Sequence, residues 1–563
     1  MIVLNTLIFV SFYFIFLFSI LGFGLLFCKY SGINSNKVNL GEIGFLGFCS
    51  LSFIAYFTNL FFSHNFIHNF IVHLIGISSL IFFYIKNKNY FSQTVKKILL
   101  LTLCVILGLF LSKNNEDFPY YHLSYAINLV DSNAIIGLGN LNSAYRTPSS
   151  LFYFNSLLYL PYIKYYLFHS SGIYILTFAN FILLEKFFFS KKSINFIIVL
   201  SSLFFIFINT IFNRLAEYGT DRAGQIVVLI IFLYLFNILN SKKFEKKDIQ
   251  IVLLLIFYVI TIKAYYIVYF SLFAFIFYKI YKFKKLKIFQ EELKFFLIIF
   301  LFFFIFILIN FLNSGCLFYP LKFTCFDKLI WAPTLDSIVS HGKWFELWSK
   351  AGATPNYRVE DPDYYIQYLN WVPNWINTYF FFKVTDTLLS ILIIIIIFSF
   401  IFIINKNRII KIVKKKIIFE YLYLLIFILF LIWFFKHPDL RYGGYPLLAL
   451  LIFVPLSIFF SKFIFSRNDY NKIYFIIIVL VFLVYNFKNV TRIYSEFNRI
   501  DKYRYSNFPF FYVENVDYKK IVKNNDIILY EPINNNCWAT PAPCVGGDTK
   551  VGKFMFFKVF FGK

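Results

Sequence analysis

DTLLSILIIIIIFSFIFII, residues 386–404, carries one charge in nineteen positions, and that charge, Asp386, stands at its start. About twenty apolar residues in helical form cross the hydrocarbon layer of a bilayer. The stretch therefore reads as a membrane helix, and it is not alone. Uninterrupted apolar runs recur at 2–27, 42–62, 67–85, 97–112, 173–189, 193–212, 222–240, 249–262, 265–281, 292–312, 417–435, 444–460 and 473–488. With 386–404 they make fourteen. The fold class expected is an all-α polytopic membrane protein of about 13–14 transmembrane helices with a small C-terminal extracytoplasmic domain.

Composition agrees. Of 563 residues, 60% are hydrophobic and 15% charged. Soluble domains carry roughly 45–50% apolar and about 25% charged residues. These figures exclude an ordinary cytosolic enzyme, a disordered chain and a secreted disulfide scaffold. The first run, 2–27, has no basic leader and no small-residue cleavage site, so it reads as a retained helix.

The net charge of +26 does not point to nucleic acid, because Lys and Arg collect in the cytoplasmic loops of membrane proteins. Basic loops fall at 86–97, 191–192, 242–247, 279–287 and 405–416. Placed in the cytoplasm, they leave 113–172, 213–221, 313–385, 436–443 and 489–563 outside, as in a bacterial inner-membrane protein. The parity requires that 150–168, with Pro161 and Lys164, lie along the interface or re-enter. The segments then divide as 1–112 and 173–312, helical; 386–488, helical; 113–172 and 313–385, large external loops; 489–563, a small external domain or cap.

Four of the seven cysteines form close pairs in the external segments, Cys316 with Cys325 and Cys537 with Cys544. Neither pair has the CxxC spacing or His partners of a zinc site, and disulfides persist outside the cytoplasm. Two disulfides are expected.

The residues that could do chemistry lie at the external ends of apolar runs. Glu116 and Asp117 precede Pro119, a good first helical residue, and a helix over 120–130 would hold His122 and Asp131. Its positive end favours a carboxylate; the same acids would also serve as caps. GLGNL at 137–141 lacks the context of a dinucleotide site and is followed by Arg146. NRLAEYGTDRAGQ at 213–225 holds Arg214, Glu217, Asp221 and Arg222, which could pair among themselves or bind an anion. FKHPDLRYGGYP at 435–446 offers Lys436, His437, Asp439, Arg441 and two glycines at a helix start, a setting suited to phosphate or to snorkelling at the membrane edge. Lys263 interrupts two short apolar runs, either snorkelling or binding an anionic headgroup. Eight of the ten arginines fall outside, among them Arg146, Arg222, Arg358, Arg441, Arg492, Arg499 and Arg504. Planar recognition of phosphate favours Arg over Lys.

The blocks DFPYYHL, GLGNL, SGCLFYP, HPDLRYGG and CWATPAPC, in this order, resemble a group of bacterial multipass membrane proteins of unproven activity. More broadly, an acid pair in the first large external loop, a second acidic turn and basic residues at headgroup level resemble the GT-C glycosyltransferases. That resemblance implies a GT-C-like fold and transfer of a sugar from a polyprenyl-phosphate carrier to an external glycan, lipid or protein acceptor, as in cell-envelope polysaccharide biosynthesis. It further implies Asp117 as the base, with Asp221 and Glu116 as accompanying acids. His122, Arg146, Arg222, Lys263, His437 and Arg441 would bind substrate. No ligand spacing demands a metal, although a divalent ion between the acids is compatible with the pattern. The alternatives are a polysaccharide polymerase or ligase, a transporter or flippase of lipid-linked glycans, and an assembly protein without catalysis.

Overall fold

The computed structural model describes residues 2–86, 88–110, 115–189, 195–241, 243–353, 359–404, 409–412, 420–465, 467–497, 513–523, 527–533, 536–545, 550–555 and 557–562. Arg358, Arg499, Arg504, Lys191, Lys192 and most of the 405–416 loop lie outside them.

The helices in chain order are α1 (Ile2–Ser31), α2 (Leu40–Asn59), α3 (Phe66–Lys86), α4 (Lys88–Val105), α5 (Leu123–Asp131), α6 (Ser150–Leu157), α7 (Ser171–Phe187), α8 (Phe196–Ile211), α9 (Thr220–Asn240), α10 (Lys246–Ile262), α11 (Phe273–Lys282), α12 (Ile288–Glu291) and α13 (Leu293–Ser314). After these come α14 (Leu335–Lys350), α15 (Pro362–Ile366), α16 (Val372–Trp375), α17 (Thr385–Ile404), α18 (Glu420–Lys436), α19 (Gly444–Phe460) and α20 (Arg467–Phe497). Strands are few: β1 (Ile409–Ile412) pairs with β2 (Phe463–Phe465), β3 (Tyr518–Lys523) with β4 (Ile527–Pro532), and β5 (Val551–Phe554) with β6 (Phe557–Phe560), each pair antiparallel.

Eight helical stretches among the described residues are long and apolar enough to cross a membrane. They coincide with eight of the fourteen apolar runs. The other six runs form α4, α7, α8, α10, α18 and α19, of 16 to 18 residues. At 1.5 Å per residue these reach about 24–27 Å, just under the hydrocarbon thickness. The chain is a mostly helical, polytopic membrane protein.

The two kinds of helix differ in what surrounds them. α7, α8, α9 and α10 are buried on nearly every face and form the centre. α17 turns Leu389, Leu392, Ile393 and Ile396 outward, an apolar surface that water would not tolerate and lipid does. Backbones approach closely where α1 meets its neighbours. A Cβ added at Gly47 would lie 1.8 Å from the Ile20 carbonyl oxygen, and one at Gly22 the same distance from that of Gly76. Small residues permit such contact between membrane helices.

Several boundaries differ from the sequence reading. α4 starts within the basic stretch rather than at 97, since Lys and Asn side chains do not stop a helix. The 313–385 segment ends early, because α16, a wide helical turn at Ile376–Val384 and α17 run on as one stretch from Val372. α20 carries on through Asn489 to Phe497, so the 489–563 tail begins later than expected. Asn486 holds the continuing helix by donating to the Cys104 carbonyl (3.0 Å). The 150–168 segment is an eight-residue helix, α6, followed by turns; about 12 Å of helix cannot span a bilayer.

Cys316–Cys325 and Cys537–Cys544 are both disulfides. The tail does not stand apart. Asp131 accepts from the Ala542 amide (3.0 Å), Ile136 pairs with Val559, and Asn140 donates to the Trp331 and Phe560 carbonyls. The tail is thereby stitched to the 113–172 and 313–385 loops.

Candidate functional site

Asp117 ends the loop after α4. A wide helical turn, Phe118–His122, follows with Pro119 in its first positions and leads into α5. Asp117 occupies the cap position, but its side chain makes no capping bond. It reaches instead to Arg441, whose Nη2 donates to Oδ2. The capping role open to Asp117 in the sequence is therefore not used.

Arg441 sits in the short turn Leu440–Tyr442 between α18 and α19. Asp439 sets this turn: its Oδ1 accepts from the Arg441 amide (2.9 Å) and from the Tyr379 hydroxyl (2.6 Å). An Asp bonding the backbone two residues on is a standard turn former. Gly443, at φ 102°, supplies the left-handed residue that turns the chain into α19. Gln225 of α9 clamps the turn from below, donating to the Leu440 and Arg441 carbonyls (3.0 Å each).

So held, Arg441 also donates from Nε to Asp221 Oδ2 (2.7 Å). Asp221 lies in the first turn of α9, where the positive helix end favours an anion. Its Oδ1 accepts from Lys263 Nζ. Lys263 follows α10 in extended conformation, which interrupts the helix and swings the ammonium toward Asp221 and over the Tyr442 ring (4.3 Å). Four charged side chains from four separated segments thus form one chain, Asp117–Arg441–Asp221–Lys263. Asp221 is 7% exposed; Asp117 and Arg441, at 26% and 30%, remain accessible.

Around the cluster stand aromatic rings. The Arg441 guanidinium lies over Trp348 (5.5 Å), and Tyr442 meets Trp348, Tyr265 and His437. His122 packs between Tyr121 and Phe152, and Gly219 leaves room for its ring, since a Cβ there would lie 2.5 Å away. Burial lowers the His122 imidazole to about 4 against the pull of Asp117 and Asp221. His437 is lowered to about 4 by the same cause. Both are neutral at physiological pH. Burial alone would lower the Arg441 pKa; Asp221 and Asp117 reverse this and hold it well above the ordinary value. Burial raises the Asp439 carboxyl, with Arg441 and Tyr379 opposing.

The remaining candidates go elsewhere. Arg146 donates to Gly139, Tyr319 and Ser337 (3.1–3.3 Å), joining two loops away from the cluster. Arg222 follows Asp221 but projects over Phe212 (5.9 Å), because neighbours on a helix diverge by about 100°. Glu116 is exposed. Glu217 is buried between Arg214 and Arg492; mutual pairing, one of the two readings of its turn, is what that acid does. Arg492, assigned to the tail, belongs to α20.

Asp439, named in the charged turn at 435–446, serves the site by setting that turn. Trp348 and Tyr442 belong to the site although they were not among the expected residues. For Trp348 the signal was Trp344 four residues earlier in a polar loop. Among the described residues no group of three or more His, Cys, Asp or Glu could hold a metal ion. The two carboxylates of the cluster already face cations.

A model for a domain of unknown function, DUF8201, matches residues 6–448. The match covers all four cluster residues and ends before α20 and the tail. No curated protein and no solved structure matches the chain. By that match this protein belongs to the DUF8201 family.

Proposed function

We propose that this protein is a GT-C-like membrane glycosyltransferase that moves a sugar from a polyprenyl-phosphate carrier to an extracytoplasmic glycan, lipid or protein. The observation that carries the reading is the convergence of Asp117, Asp221, Lys263 and Arg441. An acid–base group must reach its proton directly or through one water, and a departing phosphate needs cations beside it. The cluster supplies both within one set of contacts.

In this reaction the acceptor hydroxyl oxygen attacks the anomeric carbon. The bond from that carbon to the phosphate oxygen breaks, and the phosphate leaves on its carrier. The hydroxyl proton passes to Asp117, whose Oδ1 bonds no described residue and whose side chain is accessible. Asp221 is the poorer base: it is nearly buried and bound by two cations. Its role is to aim Lys263 and Arg441, which take up the phosphate charge. Arg441 offers a planar fork of donors for that purpose.

The reading places the cluster on the periplasmic face of a bacterial inner membrane, with the basic loops in the cytoplasm. Reporter fusions after Glu245 and Lys520 should report cytoplasm and exterior respectively. The activity test is transfer from radiolabelled polyprenyl-phosphate sugars by the purified protein in lipid nanodiscs. Loss of transfer in Asp117→Asn supports the reading. Wild-type transfer in Asp117→Asn, Asp221→Asn and Glu116→Gln alike removes it.

A further inference from the structure

The cluster does not end at Arg441. From the ring beneath its guanidinium, Trp348, a series of aromatic faces leads outward along α14. Trp344, one turn earlier, lies 6.4 Å from Trp348 with the planes 25° apart. His341 follows at 5.9 Å from Trp344 and stacks on Phe345 (4.5 Å). Trp344 is 45% exposed.

We propose that Trp344 and Trp348 form a saccharide track, on which successive pyranose rings of an acceptor glycan stack before its terminal hydroxyl reaches Asp117. The proposal rests on the transferase reading and names the acceptor class for it.

Three observations carry it. First, the track is continuous with the cluster: Trp348 touches Arg441 on one side and Trp344 on the other. Secondly, its rim is polar. The exposed positions of α14 include Asp336, Ser340 and Lys343, and Lys343 pairs in the open with Asp363 (2.9 Å). α17, by contrast, exposes Leu, Ile and Phe from Leu389 to Phe400. Exposed charged side chains, paired or not, avoid acyl chains, so this face of α14 meets water or headgroups. A surface of exposed indole set among charged donors and acceptors matches a sugar: the weakly positive C–H face packs on the negative ring face, and the hydroxyls take the polar rim. Thirdly, the track is rigid before any ligand arrives. Ile338 of α14 packs on the Cys316–Cys325 turn and Tyr319, and the Tyr319 hydroxyl and His341 Nδ1 lie 2.6 Å apart in a hydrogen bond. Arg146 braces the same corner through Tyr319 and Ser337. A preformed surface spares the ordering cost of binding.

The test uses the full chain in nanodiscs, titrated calorimetrically with maltohexaose, cellohexaose and chitohexaose and no donor. Binding of at least one is expected. Trp344→Ala should weaken it about tenfold, while Trp344→Phe, which keeps a ring face, stays within about threefold. If none of the three binds, or if Trp344→Ala binds as wild type, the track is overturned. Quenching by brominated-acyl lipids that disappears in Trp344→Phe would show the indole to be a membrane anchor and would overturn it equally. Saccharide binding lost in Trp344→Ala, in a protein that transfers from no polyprenyl-phosphate sugar, keeps the track and removes the transferase.

Discussion

The two ends of the α9–α10 pair both carry buried charge, and they use it differently. At one end Glu42 opens α2. Its carboxylate takes the Asn39 amide in a capping box, the Tyr234 hydroxyl and Lys247 Nζ (3.1 and 3.2 Å). Nearby Asn237 donates to Asp248 (2.8 Å), and Gln250 and Lys246 hold Glu292. Glu42 is 0% exposed. Thirteen residues along α9, about 20 Å by helical rise, Asp221 opens the other cluster. There the partners come from loops, two members remain accessible, and Trp348 and Tyr442 surround them.

The difference separates charge that ties helices from charge that can meet a ligand. A wholly enclosed acid that already takes four hydrogen bonds from three donors has nothing left to offer. Its removal leaves the Tyr234 hydroxyl and the Asn39 amide without their acceptor and Lys247 with Asp248 alone, at 3.6 Å; breaking a buried pair typically costs about 3–5 kcal/mol. A cluster assembled from turns keeps oxygens and N–H groups at a surface, and its pairings can be exchanged.

The largest effect expected is on catalysis. Asp117→Asn should lower transfer by about two to four orders of magnitude, the usual scale for a general base, with the melting temperature near pH 7.5 little changed, because Asp117 makes no cap and Arg441 keeps its bond to Asp221. Glu42→Gln should do the reverse: a marked loss of thermal stability, measured by fluorescence-detected gel filtration, with transfer per folded molecule retained. If both variants lose stability and neither loses transfer selectively, the two ends are alike and the comparison fails.

The next effect is smaller. Arg441→Lys keeps a positive charge but loses the fork that spans Asp117 and Asp221. Hydrogen bonds to charged groups contribute about 1.5–3 kcal/mol, so use of the donor should fall about tenfold to a hundredfold, read as kcat/KM for the carrier-linked sugar. An unchanged value would reduce Arg441 to a structural cation like Lys247.

Third comes the brace beneath α14. Breaking Cys316–Cys325 opens a loop of about ten residues, for which the chain-entropy relation gives about 2–3 kcal/mol. Cys316→Ser with Cys325→Ser should lower the melting temperature and weaken acceptor use more than donor use. Equal losses for both substrates would place the disulfide outside the acceptor side.

How far the site was legible follows from the kind of residue. Asp117, Asp221, Lys263 and Arg441 each break an apolar pattern at a helix end, so each could be named from the chain alone. That they meet depends on α9, α10 and the α18–α19 turn sharing one end of the bundle, which no local pattern encodes. Arg146 and Arg222 had the same sequence credentials and diverge because their backbones aim them at Tyr319 and Phe212. Helix interiors were legible for the same reason in reverse: hydrocarbon demands apolar residues, and 386–404 or 292–312 can hardly be read otherwise. Ends were not, since α4 and α20 continue through polar residues; in α20 Asn486 finds the Cys104 carbonyl of α4.

The smallest effect belongs to His122, which sits at the accessible end although it is itself buried. Its folded pKa is about 4 against an ordinary 6.5. The unfolded chain therefore takes up the proton first as pH falls. The stability due to the neutral ring is complete above 6.5, shrinks through the window from 6.5 to 4, and changes no further below it. Near pH 5 the loss should reach about 1–2 kcal/mol. Melting temperatures from pH 7.5 down to 4.5 should fall more steeply for wild type than for His122→Gln. Asp117→Asn adds a second arm, followed to lower pH. Asp117 is the leading charge drawing His122 toward protonation, so its removal should lower the His122 pKa further and carry the fall on below pH 4, where wild type levels off. A fall that levels off at the same pH in Asp117→Asn would mean that the ring does not feel the cluster, and that its neutrality is a property of the Phe152 packing alone.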